Sequence, residues 1–237
     1  MARPTVVLLH AFPLDARMWD GIRPALEAAG FDVVAPDLPG PDLELGFGAW
    51  ARRVLGLVEG DFVAVGSSMG GYLSFELWRQ ASERVVAVAL VGTRATPDSP
   101  EQREARDDSI RLLGEAGREP FWEELAPRMF ADGADPAVVS AAGALALEQP
   151  ITALVTAQET IRDRVDSRPT LPTIDAPVLV VVGEEDRLTP PSDSEAMVAA
   201  LPNARSSRIA GAGHLAPLER PDAVAELLVD FVEEVAH

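Results

Sequence analysis

The sequence predicts an α/β fold: a mostly parallel sheet of about six strands flanked by helices. Short, continuously apolar runs alternate along the chain with amphipathic, helix-like stretches. Runs without polar–apolar alternation are typical of strands buried on both faces, as in a parallel sheet covered by helices. Strand and helix in regular succession favour an open sheet with right-handed crossovers. The apolar runs cover residues 6–9, 33–35, 62–65, 85–91 and 178–182, with a weaker one at 205–210.

Helical patterns separate these runs. The first ends at Gly30, which suits the position just after a helix C-terminus because glycine tolerates a left-handed backbone. The patterns cover about residues 18–28, 48–58, 69–79, 193–200 and 221–235.

The alternation breaks between residues 97 and 172, where no strand-like run occurs and proline-containing segments stand at both ends. We interpret this segment as an all-helical insertion that follows the fifth strand and acts as a lid. The expected domains are a core formed by residues 1–96 and 173–237 and a helical cap at 97–172. Helices are expected at 102–113, 121–130, 136–147 and 151–164.

The chain is strongly acidic, with 20 Lys and Arg against 38 Asp and Glu and a formal charge of −18 in 237 residues. A negative field repels phosphate backbones and anionic membranes, so neither nucleic acid nor a membrane is an expected partner. It also disfavours anionic substrates, although a local arginine cluster could override this. The absence of cysteine excludes disulfides, thiolate metal sites and cysteine nucleophiles.

The first apolar run is too short for the core of a signal peptide. No stretch approaches the roughly 20 apolar residues that a membrane-spanning helix needs. A cytoplasmic location is therefore the default expectation.

Residues 66–71 (GSSMGG) fit the G-x-S-x-G pattern of a nucleophilic serine. The chemistry needs a serine at the tip of a tight strand-to-helix turn, and Gly66 and Gly70 let the backbone pass there. An apolar, strand-like run precedes the motif and a helical pattern follows it, so strand, turn and helix come in the required order. In the alternative, Ser67 and Ser68 only cap a helix. We predict Ser68 as the nucleophile.

A general base can be sought among only three histidines. His237 is the last residue, and His10 ends the first predicted strand. His214 lies in a glycine-containing loop after the last strand and before the last helix, where it can reach the end of the sheet. This position favours a role as general base for His214 over the alternative that it is only a solvated loop residue.

An acid that orients the base is expected after the strand at 178–182. Glu184, Glu185 and Asp186 follow that strand, and each could reach an imidazole. We prefer Asp186, at the far end of the turn, with Glu185 as the alternative. Its task is to hold the histidine tautomer and to stabilise the imidazolium.

An oxyanion hole needs two backbone N–H donors aimed at one point. One is expected from Met69, directly after the nucleophile. The other is expected from Phe12, since the neighbouring Pro13 has no N–H. His10 is then structural and bonds the backbone of this loop.

These motifs together resemble the α/β-hydrolase superfamily, in which Ser, acid and His follow one another in this order. The resemblance covers nearly the whole chain, and its spacing and lid are similar to those of small carboxylesterases and the 3-oxoadipate enol-lactonase group. Haloalkane dehalogenases and epoxide hydrolases of this superfamily carry Asp at the nucleophile position, so Ser68 argues against both activities. The matching segments are residues 8–13, 37–40, 66–71, 183–186 and 211–214.

Two departures from the family pattern stand out. Ala11 follows His10 where the family usually has glycine, so a shifted oxyanion loop is conceivable and a broken one is not expected. The usual N-terminal strand pair is missing, which leaves six parallel strands with residues 33–35 at an edge. An unprotected edge invites pairing, so the protein is expected to be a monomer or a homodimer.

The resemblance implies hydrolysis of a small to medium ester or lactone through an acyl-enzyme, with no metal or other cofactor. Alternatives on the same residues are C–C bond hydrolysis and a cofactor-free haloperoxidase or perhydrolase reaction. A non-catalytic ligand-binding module would be favoured by a missing triad member, and none is missing. Apolar residues near the expected cavity are Phe12, Met18, Trp19, Phe121, Trp122, Met129 and Leu215.

Arg94 stands where the lid begins. It could meet a substrate carboxylate or pair with a nearby acid, and we favour the pair. The apolar residues of the expected cavity favour an uncharged ester or lactone.

Overall fold

The computed structural model describes residues 3–39 and 45–236, so Gly40 of the 37–40 motif and His237 lie outside the described residues. One six-stranded sheet runs through the molecule, and every pair of neighbouring strands is parallel. The strands are β1 Thr5–Leu9, β2 Val33–Val34, β3 Phe62–Ser67, β4 Val85–Val91, β5 Val178–Gly183 and β6 Ala204–Ile209. Their order in the sheet is β2-β1-β3-β4-β5-β6.

Burial explains why these segments are strands. β3 and β5 are buried at every position, as expected for continuously apolar segments between two helical layers. β2 lies at one edge, as predicted, and β6 at the other. The weak pattern of β6 follows from its edge position, since most of its side chains are partly or fully exposed.

Helices cover both faces of the sheet and enclose two apolar cores. Helices α2 (Phe47–Leu55), α3 (Met69–Ala81) and α8 (Pro191–Ala200) contribute to the core on one face, and α1 (Arg23–Ala28) and α10 (Pro221–Val235) to the core on the other. Gly30, with φ +85°, follows α1 as predicted. The helices outside the inserted segment are α1 Arg23–Ala28, α2 Phe47–Leu55, α3 Met69–Ala81, α8 Pro191–Ala200, α9 Ala216–Glu219 and α10 Pro221–Val235.

The inserted segment is helical, and within the described residues it contains no strand. It follows β4, the fourth strand of the described sheet, which corrects the expectation that it follows the fifth. The helix expected at 121–130 ends earlier and continues as a 3-10 turn at Ala126–Arg128, since Pro127 cannot donate a helical hydrogen bond. The four helices are α4 Pro100–Ala116, α5 Arg118–Leu125, α6 Pro136–Glu148 and α7 Ile151–Arg162.

No single helix in the described part of the chain is long and apolar enough to cross a membrane. Helices α6 and α7 taken together have the length and apolar composition of one membrane-spanning helix, but they meet at a bend of 99°.

The parallel register brings together the loops that carry the predicted site residues. Leu9 of β1 pairs with Gly66 of β3, and Val91 of β4 pairs with both Ser67 of β3 and Val181 of β5. The carboxyl ends of these strands therefore lie along one edge of the sheet, where open α/β sheets place their ligand sites.

Candidate active site

Ser68 forms the turn between β3 and α3. Its φ of 49° makes it the only residue other than glycine with a positive φ in the described ranges. Hydrogen bonds to both the N–H and the carbonyl of Ser68 stabilise the turn. The Ser68 N–H donates to the carbonyl of Val91 at 2.8 Å, and the Ser68 carbonyl accepts from Gly71 N–H at 2.9 Å and Thr93 Oγ1 at 2.8 Å. The surrounding contacts thus maintain a strained backbone that exposes one side chain at the end of the sheet.

Close backbone contacts explain the glycines of this turn. A Cβ on Gly66 would stand 2.3 Å from the carbonyl oxygen of Gly70, and a Cβ on Gly70 would stand 2.1 Å from that of Leu9. Both distances exclude a side chain, as the motif predicted. Gly71 is equally constrained by Thr93, at 2.5 Å, a requirement that the motif does not express.

His214 is buried in the loop between β6 and α9, and its Nε2 lies 2.8 Å from Ser68 Oγ. Gly213 lets this loop pass the inserted segment, because a Cβ there would stand 2.5 Å from backbone atoms of Phe130 and Ala131. The glycines before His214 therefore allow the imidazole to approach the serine closely.

Asp186 lies on the other side of the imidazole, with its Oδ2 2.9 Å from Nδ1 of His214. The carboxylate also accepts hydrogen bonds from Leu188 N–H and Thr189 N–H, both at 2.9 Å, and from Thr189 Oγ1 at 2.7 Å. Burial acts to raise the Asp186 pKa, but attraction to His214 and these hydrogen bonds outweigh it and hold the pKa below its usual value.

An ionised carboxylate can only accept hydrogen bonds, so Nδ1 of His214 must be the donor in its contact with Asp186. In the neutral imidazole, Nε2 is then free to accept the proton of Ser68 Oγ. The arrangement can therefore move a proton from the serine hydroxyl to the imidazole.

The two neighbouring acids point elsewhere. Glu185 Oε2 accepts a hydrogen bond from Asp132 N–H at 2.9 Å and so ties its loop to the inserted segment. Glu184 is exposed. Of the three acids that the sequence left open, only Asp186 contacts the imidazole within the described residues.

The two amides expected to form an oxyanion hole belong to residues beside the serine. Within residues 3–39 and 45–236, neither Phe12 N–H nor Met69 N–H donates to an acceptor. Phe12 and Ser68 border the same cavity. Neither amide is therefore committed to a protein acceptor in the described structure.

His10 supports this loop, as expected. Its Nδ1 lies 3.0 Å from the Ala11 carbonyl, and its Nε2 accepts from Leu38 N–H at 2.8 Å. Burial lowers the His10 pKa, which favours the neutral ring that this pair of contacts requires. Ala11 is buried and has no positive φ, so its methyl group imposes no backbone strain.

A cavity of about 150 Å³ opens over Ser68 and His214. Its sheet side is formed by loop residues and the start of α3, and its other side by α4, α5, α7 and the 3-10 turn at Ala126–Arg128. A larger cavity of about 430 Å³ lies beside it, with Tyr72 in both walls, but contains neither Ser68 nor His214. The smaller cavity is lined by Phe12, Ser68, Tyr72, Arg94, Gln102, Ala105, Arg106, Ser109, Leu125, Arg128, Met129, Gln158, Ile161, Leu188, Thr189 and His214.

Most of the apolar residues proposed for its wall lie elsewhere, which corrects that expectation. Met129 lines the cavity, but Met18, Trp19 and Leu215 are fully buried in the core. Trp122 packs inside the inserted segment, with its ring centroid 6.3 Å from that of Phe130. Helical spacing identifies an apolar face, but it does not tell whether that face packs on a core or borders a cavity.

Glu219 and Thr189 also support the site, and the sequence analysis missed both. Glu219 accepts hydrogen bonds from Gly213 N–H at 2.8 Å and Ala131 N–H at 2.9 Å, so it joins the His214 loop to the inserted segment. Thr189 binds the Asp186 carboxylate. Neither residue belongs to a recognisable sequence motif. Within the described residues, no group of three His, Cys, Asp or Glu could hold a metal ion.

Comparison with known proteins identifies relatives over the whole chain. The sequence profile of the alpha/beta hydrolase family matches residues 6–227. A pimeloyl-[acyl-carrier protein] methyl ester esterase of Aromatoleum aromaticum is 29% identical over 268 residues, covering 98% of this chain and 99% of that protein.

Solved structures with the same fold include two hydrolases of esters or lactones. A thermophilic esterase from Thermogutta terrifontis, with malate bound, superimposes with a TM-score of 0.90 at 32% identity, over 99% of this chain and 92% of that one. The enol-lactonase from Burkholderia xenovorans LB400 gives a TM-score of 0.85 at 26% identity, over 98% of this chain and 92% of that one.

Proposed function

The chain belongs to the alpha/beta hydrolase family, and from this premise we propose that it hydrolyses carboxylic ester or lactone bonds through an acyl-enzyme on Ser68. The observation that carries the proposal is the continuous hydrogen-bonded series from Ser68 Oγ through His214 to Asp186. The esterase and enol-lactonase names of the relatives support the same class of reaction.

In the proposed mechanism, His214 Nε2 takes the proton of Ser68 as Oγ attacks the carbonyl carbon of the substrate. Asp186 stabilises the imidazolium that forms and keeps Nδ1 protonated. The N–H groups of Phe12 and Met69 bind the oxyanion. His214 then gives its proton to the leaving alcohol and activates the water that hydrolyses the acyl-enzyme.

Residues 97–172 act in this proposal as a cap over the core formed by residues 1–96 and 173–237. α4 and α7 of the cap supply cavity residues such as Gln102, Ser109 and Gln158. A cap that closes over the serine keeps bulk water from the reacting groups, and its opening admits substrate.

The test is labelling with a fluorophosphonate, mapped by mass spectrometry. We expect stoichiometric modification of Ser68, lost in His214→Ala. Ser67→Ala is the matched control, because the Ser67 hydroxyl is buried next to the nucleophile and has no hydrogen-bond partner in the described structure. Failure to label Ser68 in the folded protein would contradict the proposal.

Substrate assays distinguish ester or lactone hydrolysis from the other reactions that the same three residues could catalyse. Hydrolysis of p-nitrophenyl acetate without cleavage of a β-diketone supports the ester or lactone reaction. Preferential β-diketone cleavage, or oxidation of a halide with peroxide and a short carboxylic acid at rates above ester hydrolysis, would instead indicate one of the alternatives.

A further inference from the structure

The charge of the candidate active-site cavity is opposite to that of the protein. Arg94, Arg106 and Arg128 line the cavity, and no Asp or Glu stands among its described lining residues. The chain as a whole carries a formal charge of −18. A positive cavity in an acidic protein concentrates attraction for anions at one place, since low-dielectric walls focus the local field.

A single buried carboxylate holds much of this positive charge in position. Asp98, whose side chain is fully buried, contacts Arg94 at 2.9 Å, Arg164 at 2.7 Å, and also Arg106. One carboxylate thus faces three guanidinium groups. Asp193 also lies within electrostatic reach of Arg94, so these two acids and three arginines leave an excess of one positive charge. Arg94 and Arg106 present that excess to the cavity wall.

Two of the cavity arginines have N–H groups that donate to no acceptor within the described residues. Arg94 donates to Asp98 through its Nη2, and its Nη1 donates to no acceptor in the described part of the chain. Arg128 is exposed at the cavity wall and forms no hydrogen bond or ion pair with residues 3–39 or 45–236. A guanidinium N–H without a protein acceptor can donate to a ligand oxygen without breaking a hydrogen bond of the protein.

We infer that the substrate of this site carries a carboxylate in addition to the ester or lactone bond that is cleaved, an inference that rests on the proposed function. Guanidinium groups bind carboxylates through paired, charge-assisted hydrogen bonds. Arg94 and Arg128 bind the substrate carboxylate, and Ser68 attacks the ester carbonyl at the other end. The cavity volume of about 150 Å³ limits the acid to a short chain. The substrate class is therefore a half-ester of a short dicarboxylic acid, or a lactone acid of similar size.

Two substrates of the same shape test this inference. Monomethyl glutarate carries the carboxylate, and the methyl ester of glutaric acid monoamide replaces it with a neutral amide. We expect kcat/KM to be about 10- to 100-fold higher for the charged ester, the size of a charge-assisted hydrogen bond. Arg94→Gln and Arg128→Gln should each remove most of this preference by raising KM for the charged ester more than KM for the neutral ester. Equal or faster hydrolysis of the neutral ester would overturn the inference.

Arg111→Gln is the matched control. Arg111 lies on α4 and pairs with Asp108 at the surface, so its replacement removes the same charge from the cap but nothing from the cavity. Loss of preference in this variant equal to that in Arg128→Gln would indicate a general charge effect and contradict the inference.

Binding of free glutarate, measured by calorimetry on the intact protein, separates this inference from the proposed function. Glutarate binding that is lost in Arg94→Gln and Arg128→Gln supports an anion site even if no ester is hydrolysed, and then only the proposed reaction fails. If fluorophosphonate labels Ser68 but the protein neither binds glutarate nor prefers the charged ester, the inference of a substrate carboxylate is wrong and the proposed function stands.

Discussion

Nδ1 of His214 donates a hydrogen bond of 2.9 Å to Oδ2 of Asp186, across 28 positions of sequence. Thr189 holds the same carboxylate oxygen through its Oγ1 at 2.7 Å. The imidazole is thus fixed in the tautomer that leaves Nε2 facing Ser68.

Replacement of Asp186 by Asn should lower kcat by about 10⁴-fold, because an amide no longer selects the tautomer with Nδ1 protonated. Steady-state kinetics on p-nitrophenyl acetate measure the effect. Glu185→Gln is the matched control, since Glu185 contacts the Asp132 backbone and not the imidazole. A Glu185→Gln variant as impaired as Asp186→Asn would reverse the assignment of the acid.

Gly70→Ala should destabilise the protein by about 3 kcal/mol or more, because the new Cβ would stand 2.1 Å from the Leu9 carbonyl oxygen and the backbone must move. Gly114→Ala is the control. A Cβ at Gly114 meets nothing within 4 Å, and alanine favours the helix by up to about 1 kcal/mol. Urea unfolding of both variants measures the difference, and equal stability would show that the turn is not tightly packed.

Acid should weaken the fold through Asp98 as well as Asp186. Burial acts to raise the pKa of Asp98, but Arg106 and Arg164 outweigh it and hold the pKa below its usual value. A carboxyl group with a lowered pKa stabilises the folded state above its unfolded pKa of about 4 and loses that contribution as pH falls through the folded pKa. We therefore expect the free energy of unfolding to fall below about pH 4.

Asp98→Asn tests this origin of the acid sensitivity. The variant should be less stable than the parent by roughly 3–5 kcal/mol at neutral pH, because buried arginines lose their partner, and its stability should change less on acidification. Asp108→Asn, at an exposed ion pair with Arg111, should keep the pH dependence of the parent. Unfolding curves at several pH values between neutral and acid distinguish the two variants.

Glu219→Ala should destabilise the protein by roughly 2–5 kcal/mol, since it leaves the buried N–H groups of Gly213 and Ala131 without an acceptor. Because Gly213 precedes His214, we also expect a lower kcat with KM little changed. Glu226→Ala, at an exposed position of α10, is the control for loss of one carboxylate. Wild-type stability and activity in Glu219→Ala would show that water replaces this carboxylate without cost.

By itself, the sequence determined the six-stranded parallel sheet, the helical segment inserted between two of its strands, and the turn at Ser68. These features depend on local patterns: continuous apolar runs, helical periodicity, and glycines where the backbone passes within about 2 Å of a Cβ position. The position of His214 after the last strand followed from the same order, because parallel strands end at one edge.

Only the tertiary structure decided which acid contacts His214 and which residues border the cavity. Glu185 and Asp186 are adjacent in sequence, and the direction of each side chain depends on the loops that pack against it. Arg94, Arg106 and Arg128 come from a loop, from α4 and from a 3-10 turn, so the angle at which the inserted helices pack on the sheet brings them to one wall. That angle results from many side-chain contacts between distant segments, and no local pattern encodes it.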